Sequence, residues 1–310
     1  MGTVVVSLDA ELAWGFHDQD SPPAERIASA RWGWQRALEL FDTYRVPATW
    51  AVVGHLYLDS CDGRHADHPA PPGWFDRDPG GAVARDPTWY GPDLVRAIDG
   101  AAVDHEVASH TFSHVEFGDR GTTTELAAAE LERARAVAAA VHEPPTTVVF
   151  PRNEVGHLDV LAEKGITCYR GRKPPEWFDG QSYRALGKTL ATVAGRPPPV
   201  VRPSVDERGL VNLPASLYLY GFETWLGEAS RTHPLVRRAR AGVDAAAATG
   251  GVCHLWLHPN NLRTERHADR LAAVLEYVTT CRDRGEVSVQ TMGAVAARAR
   301  GGERAPQAGH

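Results

Sequence analysis

The chain has 310 residues, with 33 Lys plus Arg against 39 Asp plus Glu, a formal net charge of −6. That balance argues against a nucleic-acid backbone as main partner, which would need clustered basic charge. With 43% hydrophobic residues and nine Trp the chain is not a disordered one, and its length admits either one enlarged α/β barrel or two smaller domains.

Residues 4–8 form a short β-branched apolar run and residues 47–53 another, with a helical pattern over 24–44 between them, which is a strand-helix-strand unit. Further short strands are expected at 106–108, 146–150, 167–169, 251–257 and 287–290. A helix is expected over 122–141, capped by Thr122 or Thr123, and another over 157–164, ended by Gly165. Strands that alternate with helices indicate a mostly parallel sheet or barrel. Two segments interrupt this rhythm, 59–92 and 171–213. Both are rich in Pro, Gly and aromatic residues, and both read as long insertions that either pack on the barrel or wall a substrate site. Residues 301–310 read as a disordered tail.

The first residues enter the apolar strand without the regions of an export signal, and no stretch approaches the ~20 apolar residues of a membrane helix. A cytoplasmic protein with no membrane partner is therefore expected. Cys61, Cys168, Cys253 and Cys281 are scattered, with no Cys-x-x-Cys pair, and read as reduced thiols.

His110 and His114 stand four apart among small polar residues that favour a turn, so their imidazoles can converge on one ion. With 14 His in the chain the spacing by itself carries little, as His254 and His258 illustrate. That second pair lies in a strand pattern, where residues four apart are separated by roughly 13 Å. A catalytic ion also needs an anionic ligand and an open position. Asp9-Ala10-Glu11, just past the first strand, stands where barrels and doubly wound sheets gather their sites.

These segments resemble, in order, the motifs of the polysaccharide deacetylases (NodB homology, carbohydrate esterase family four). They are Asp9-Ala10-Glu11, Pro47-Ala48-Thr49-Trp50, Glu106 through His114, Phe150-Pro151-Arg152-Asn153, and Leu255-Trp256-Leu257-His258-Pro259. The resemblance implies a distorted (β/α) barrel with two long inserted loops, one domain over residues 1–300, and metal-dependent removal of an acyl group. His110 and His114 match the family's two metal histidines. Asp9 matches the catalytic base and Glu11 stands in for the ligand aspartate, a departure from the pattern. Either Glu11 reaches the metal from further back, or Asp9 turns to the metal and Glu11 does something else. Arg152 stands near the family arginine that holds the base ionised, and His258 matches the general acid. Asp206 or Glu223 is the candidate carboxylate behind His258.

The implied cofactor is a divalent metal, Zn2+ first, with Ni2+, Co2+ and Mn2+ open. The implied activity is that of a hydrolase acting on a non-peptide carbon–nitrogen bond. Its partner would be a small or precursor amino-sugar made inside the cell, with self-association left open. A cyclic amide or imide hydrolase on the same fold is an alternative, as is a degenerate barrel that binds sugar without turnover. Trp14, His55, Trp89 and Tyr90 are candidate substrate contacts, and His17 is a second histidine able to reach the rim. His105, His157, His233 and His267 read as scaffold.

Overall fold

A computed structural model describes residues 1–180, 184–219 and 230–302. The strands are β1 (Gly2–Ala10), β2 (Thr49–Val52), β3 (Ser60–Cys61), β4 (Gly81–Ala82), β5 (Glu106–Ser109), β6 (Thr147–Val149), β7 (Cys168–Gly171), β8 (Ser204–Val205), β9 (Val211–Pro214), β10 (Leu217–Tyr218), β11 (Val252–Leu257) and β12 (Val287–Val289). The helices are α1 (Ala24–Thr43), α2 (Pro92–Asp99), α3 (Thr124–Ala138), α4 (Leu158–Glu163), α5 (Arg184–Val193), α6 (Pro234–Thr249), α7 (Glu265–Asp283) and α8 (Met292–Gly302).

The main sheet runs β10-β11-β1-β2-β5-β6-β7-β9-β8 and curls into a half-barrel, the distorted α/β barrel expected from the sequence. All its pairs are parallel except β8 with β9. Strand β1 pairs with three others. β11 covers one edge, while β12 pairs with the start of the other edge and β2 with its end. β1 and β2 are buried along their whole length; in β1, Val4, Val6, Leu8 and Ala10 join the main hydrophobic core, while Thr3, Ser7 and Asp9 alternate with them onto the other face.

Helix α1 buries Ala30, Trp34, Ala37, Leu38 and Phe41, a stripe at helical spacing, and Trp34 stacks on Trp50 of β2 with ring centroids 5.6 Å apart. At Gly33 of α1 a Cβ would stand 2.1 Å from the carbonyl oxygen of Pro259, so only glycine lets the helix lie against the turn that follows β11. Thr123 caps α3 by accepting from Leu126 N–H at 3.2 Å, and Gly165, at φ +76°, follows α4 as its sequence position predicts.

Two expectations change. Segment 171–213 is not wholly an insertion, because β9 lies parallel to β7 inside the main sheet. Pro-rich sequence before it and Pro214 at its end hid a four-residue strand. Helix α8 continues to Gly302, past the expected start of the tail, and residues 303–310 lie outside the described residues. Segment 59–92 contains the β3–β4 hairpin and lays Phe75 and Trp89 edge-on against Trp14, with ring centroids 6.1 and 5.2 Å away.

Candidate metal and acid–base site

In a parallel sheet the carboxyl ends of all strands open on one side, and the register here brings them to one level. Leu8 pairs with Leu257, so Asp9 stands beside His258, and Ala10, Val52 and Ser109 line up across three strands, placing His110 beside them. After Ala10 the chain turns into a 3-10 segment, Leu12–Phe16, that folds Glu11 back over Gly15. A Cβ on Gly15 would lie 2.1 Å from the Glu11 carboxyl carbon, so the carboxylate rests directly on glycine backbone.

Glu11, His110 and His114 converge, each at most 4% exposed. One Glu11 oxygen, Oε2, lies 3.2 Å from His114 Nε2 and 3.5 Å from His110 Nε2. Nδ1 of His110 is already engaged by the Val149 carbonyl at 2.8 Å, which leaves Nε2 as the lone-pair nitrogen. That atom is buried and has no hydrogen-bond partner, as expected of a nitrogen that waits for a cation. Two imidazole nitrogens and one carboxylate oxygen around a common point fit a divalent ion of the Zn2+ class.

The histidine loop adopts left-handed backbone at Thr111 (φ +61°) and His114 (φ +65°), uncommon for residues with a Cβ and most of all for a β-branched one. Glu130 of α3 holds it there. Its Oε2 accepts from the backbone N–H groups of Phe112 at 2.7 Å and Ser113 at 2.8 Å. Burial pushes the Glu130 carboxyl above its ordinary range despite those donors.

Asp9 belongs to a second cluster. Both its oxygens are gripped by Arg170 of β7, at 2.6 Å from Nη1 and 2.7 Å from Nη2, in a bidentate pair whose two members are 2% and 0% exposed. Burial alone would raise the Asp9 carboxyl. The Arg170 guanidinium, aided by His258, reverses that and holds it below its usual value. Arg170 also donates to Ser7 Oγ and Asn153 Oδ1, and its guanidinium lies over the Trp256 ring, 4.3 Å from the centroid. The other face of Trp256 stacks on Tyr218 at 3.9 Å.

His258, at the end of β11, faces both carboxylates. Its Nε2 is 3.5 Å from Glu11 Oε1 and 3.7 Å from Asp9 Oδ2. Its Nδ1 shares a 2.7 Å hydrogen bond with the Tyr218 hydroxyl. Glu11 is held well below the ordinary carboxylate range, because the three histidines outweigh its burial.

The arginine expected to face Asp9 was Arg152, and the structure places it elsewhere. Arg152 binds Asp18 through Nη2 at 2.6 Å and Glu116 through Nε at 2.5 Å, on the half-exposed rim. The left-handed turn at Arg152 (φ +52°) and Asn153 (φ +57°) throws its side chain outward. Asp206 is spent on its own turn, accepting from Arg208 and Leu210 N–H, and Glu223 lies outside the described residues. Tyr218 is the group found on His258.

The four candidate substrate contacts also move. Trp14, His55 and Tyr90 are 0% exposed, Trp89 is half-buried, and none of them lines the polar cavity of about 200 Å3 above Asp9, Glu11 and His258. They pack on one another instead. His17 is buried beneath Trp74, and His254 sits inside the barrel between Ser7 Oγ at 2.9 Å and the Pro214 carbonyl at 3.1 Å. Arg170, Tyr218, Glu130 and Asn260, which donates to Glu11 Oε1 at 3.3 Å, were not singled out from sequence. A charged Arg at the carboxyl end of an apolar strand was the one legible signal among them.

Residues 23–167 match the family model described as polysaccharide deacetylase. The fold is similar to a Mycobacterium smegmatis protein described as a polysaccharide deacetylase (18% identity, 99% of this chain and 93% of that one, TM-score 0.63). It is also similar to Puue allantoinase (14%, 98% and 91%, TM-score 0.61) and to a Pseudomonas aeruginosa PAO1 protein described as a polysaccharide deacetylase (14%, 98% and 92%, TM-score 0.60). No curated protein matches the sequence. Residues 23–167 thus resemble a polysaccharide deacetylase domain, and the whole chain shares its fold with these solved structures.

Proposed function

We propose that this single NodB-type domain is a metal-dependent deacetylase that removes an N-acyl group from an intracellular amino-sugar or sugar precursor. The observation that carries the reading is the side-by-side placement of Glu11, His110 and His114 with the Asp9–Arg170 pair and His258. Glu11, His110 and His114 would hold the ion. When bound, such an ion supplies Lewis acidity to an acyl carbonyl.

The chain's own residues supply proton transfer. Asp9, kept ionised by Arg170, is the base for the attacking water. His258, with Nδ1 occupied by Tyr218 and Nε2 turned to the cavity, protonates the departing nitrogen. Arg170 acts through Asp9 by fixing its orientation and charge, the part expected of Arg152.

The cavity of about 200 Å3 has room for one ring, and a groove of about 330 Å3 shares Asn153, Tyr218 and Trp256 with it. That pairing suits an acylated ring with one further group attached better than a bare metabolite. Four free cysteines support an intracellular setting. The test is acetate release from a panel of N-acetylated amino-sugars, free and nucleotide-linked, by zinc-loaded protein, with cyclic amides as the second panel. Loss of turnover in Asp9→Asn and in His110→Ala/His114→Ala is expected. Turnover undiminished in the double histidine variant would overturn the reading, and turnover confined to the cyclic amides would replace the substrate.

A further inference from the structure

We propose that His55, Cys61, His65 and Asp78 form a second metal site, for Zn2+, that fastens segment 59–92 to the sheet. Their ligand atoms all lie within 4.8 Å of one another, and none of the four is fully exposed. Asp78 Oδ2 is the focus, 2.9 Å from His55 Nε2, 2.9 Å from His65 Nε2 and 3.2 Å from Cys61 Sγ, while Cys61 Sγ is 3.5 Å from His55 Nε2.

Hydrogen bonding by a neutral His55 ring accounts poorly for this arrangement. His55 Nδ1 lies 3.3 Å from the Trp89 carbonyl oxygen, a contact that wants a proton on Nδ1. A neutral ring then turns a bare Nε2 lone pair on the Asp78 carboxylate. With the proton on Nε2 instead, a lone pair faces the carbonyl. A cation amid the four atoms removes the conflict, because Nε2, thiolate and carboxylate then all face positive charge, and the Trp89 contact fixes the ligating tautomer from outside. A nucleophilic triad does not fit. It would put the carboxylate and the thiol on opposite nitrogens of the imidazole, whereas Cys61 and Asp78 face the same one.

The surrounding chain is shaped for ligation. His55 comes from the 3-10 turn after β2, Cys61 from β3, and Asp78 lies just before β4. Between Cys61 and His65 the backbone turns left-handed at Gly63 (φ +72°) and again at His65 itself (φ +45°), a conformation uncommon for a residue with a Cβ. Gly63 N–H donates to the Cys61 sulfur at 3.3 Å and Gly80 N–H to Asp78 Oδ1 at 3.0 Å, so sulfur and carboxylate have backbone donors behind them. The buried Tyr90 hydroxyl lies 3.0 Å from the same sulfur.

One thiolate, two imidazoles and one carboxylate make a closed four-donor set, the pattern of structural zinc, and the thiolate disfavours Ca2+ and Mg2+. Cys61 and His65 also line a surface cavity of about 400 Å3, which gives an ion a way in. Three ligands lie in the insertion and one in the turn after β2, so bound metal closes a long loop onto the sheet beside Trp14, whose ring centroid is 4.4 Å from that of His55.

The test is Co2+ loading of the full chain, read by thiolate-to-metal charge transfer in the near ultraviolet, together with zinc content per chain. Glu11, His110 and His114 include no sulfur, so the band reports this site alone. Its fate is therefore separate from that of the proposed deacetylase site. The band is expected in the wild-type protein and in His110→Ala/His114→Ala, and absent from Cys61→Ser, which should also hold one zinc fewer. Cobalt-loaded wild-type protein without the band, or a band that survives in Cys61→Ser, would overturn the site. Should Cys61→Ser fail to fold, the wild-type spectrum still decides.

Discussion

Replacing Arg170 with Met removes both hydrogen bonds to Asp9 and leaves a carboxylate that is 2% exposed without its counter-ion. Ser7 Oγ and Asn153 Oδ1 lose a donor as well. Breaking a buried ion pair from one side costs about 3–5 kcal/mol, because the surviving charge keeps its desolvation penalty without its compensation. His258 and His110 remain near Asp9 and offset part of the loss, so the lower end, about 3 kcal/mol, is the expectation. A second change, Asp9→Asn, removes the stranded charge. In Arg170→Met/Asp9→Asn the loss should therefore fall short of the sum of the single variants by about 2 kcal/mol. Urea unfolding followed by tryptophan fluorescence measures all four corners, with Trp256 directly beneath the guanidinium as a reporter. Strict additivity, or an Arg170→Met protein as stable as the wild type, would refute the claim that this pair is a buried, mutually dependent unit.

Other outcomes follow from the same geometry. His254 is buried and neutral, its pKa pushed down to about 3 by burial first and by Arg170 second, while in the unfolded chain it takes a proton near 6.5. Between those values the unfolded state binds one more proton, so stability falls with falling pH by about 1.4 kcal/mol per unit, or about 2 kcal/mol from pH 6.5 to 5. In His254→Asn that part of the slope should vanish, and equal slopes in the two proteins would refute it. Gly15→Ala sets a methyl where the Glu11 carboxyl lies and should lower metal affinity at least tenfold by isothermal titration, with unchanged affinity as the contrary result. Glu130→Ala strips the two N–H groups of the His110–His114 loop of their acceptor and should cost about 2–3 kcal/mol along with metal affinity, whereas loss of neither would mean the loop holds its own shape. Dialysis against a chelator should abolish deacylation and Zn2+ should restore it, and full turnover after metal depletion would remove the metal from the mechanism.

Much of this protein was legible along the chain because the determinants are local. The β1 run, the stripe of α1, Thr123 before α3 and Gly165 after α4 follow from side-chain period and backbone preference within a few residues. Asp9, Glu11, His110 and His114 could be singled out at the ends of their strands, and His258 through the family resemblance. β9 escaped notice because its four residues end in Pro and become a strand only through pairing with β7.

Tertiary structure decided which groups meet. The choice of Arg170 over Arg152 depends on backbone conformation. The extended end of β7 points one guanidinium into the barrel, while the left-handed turn at Arg152 and Asn153 points the other at Asp18 and Glu116. Tyr218 reaches His258 only because β10 pairs with β11, and the aromatic residues of 59–92 turned inward because the hairpin folds them onto Trp14. His55, Cys61, His65 and Asp78 are spread over 24 positions with no period to mark them, and their convergence exists only once β3 and β4 are paired. Local sequence fixes which atoms can donate, accept or ligate. Whether they do so depends on distances of 3–4 Å between distant segments, which only the packed chain sets.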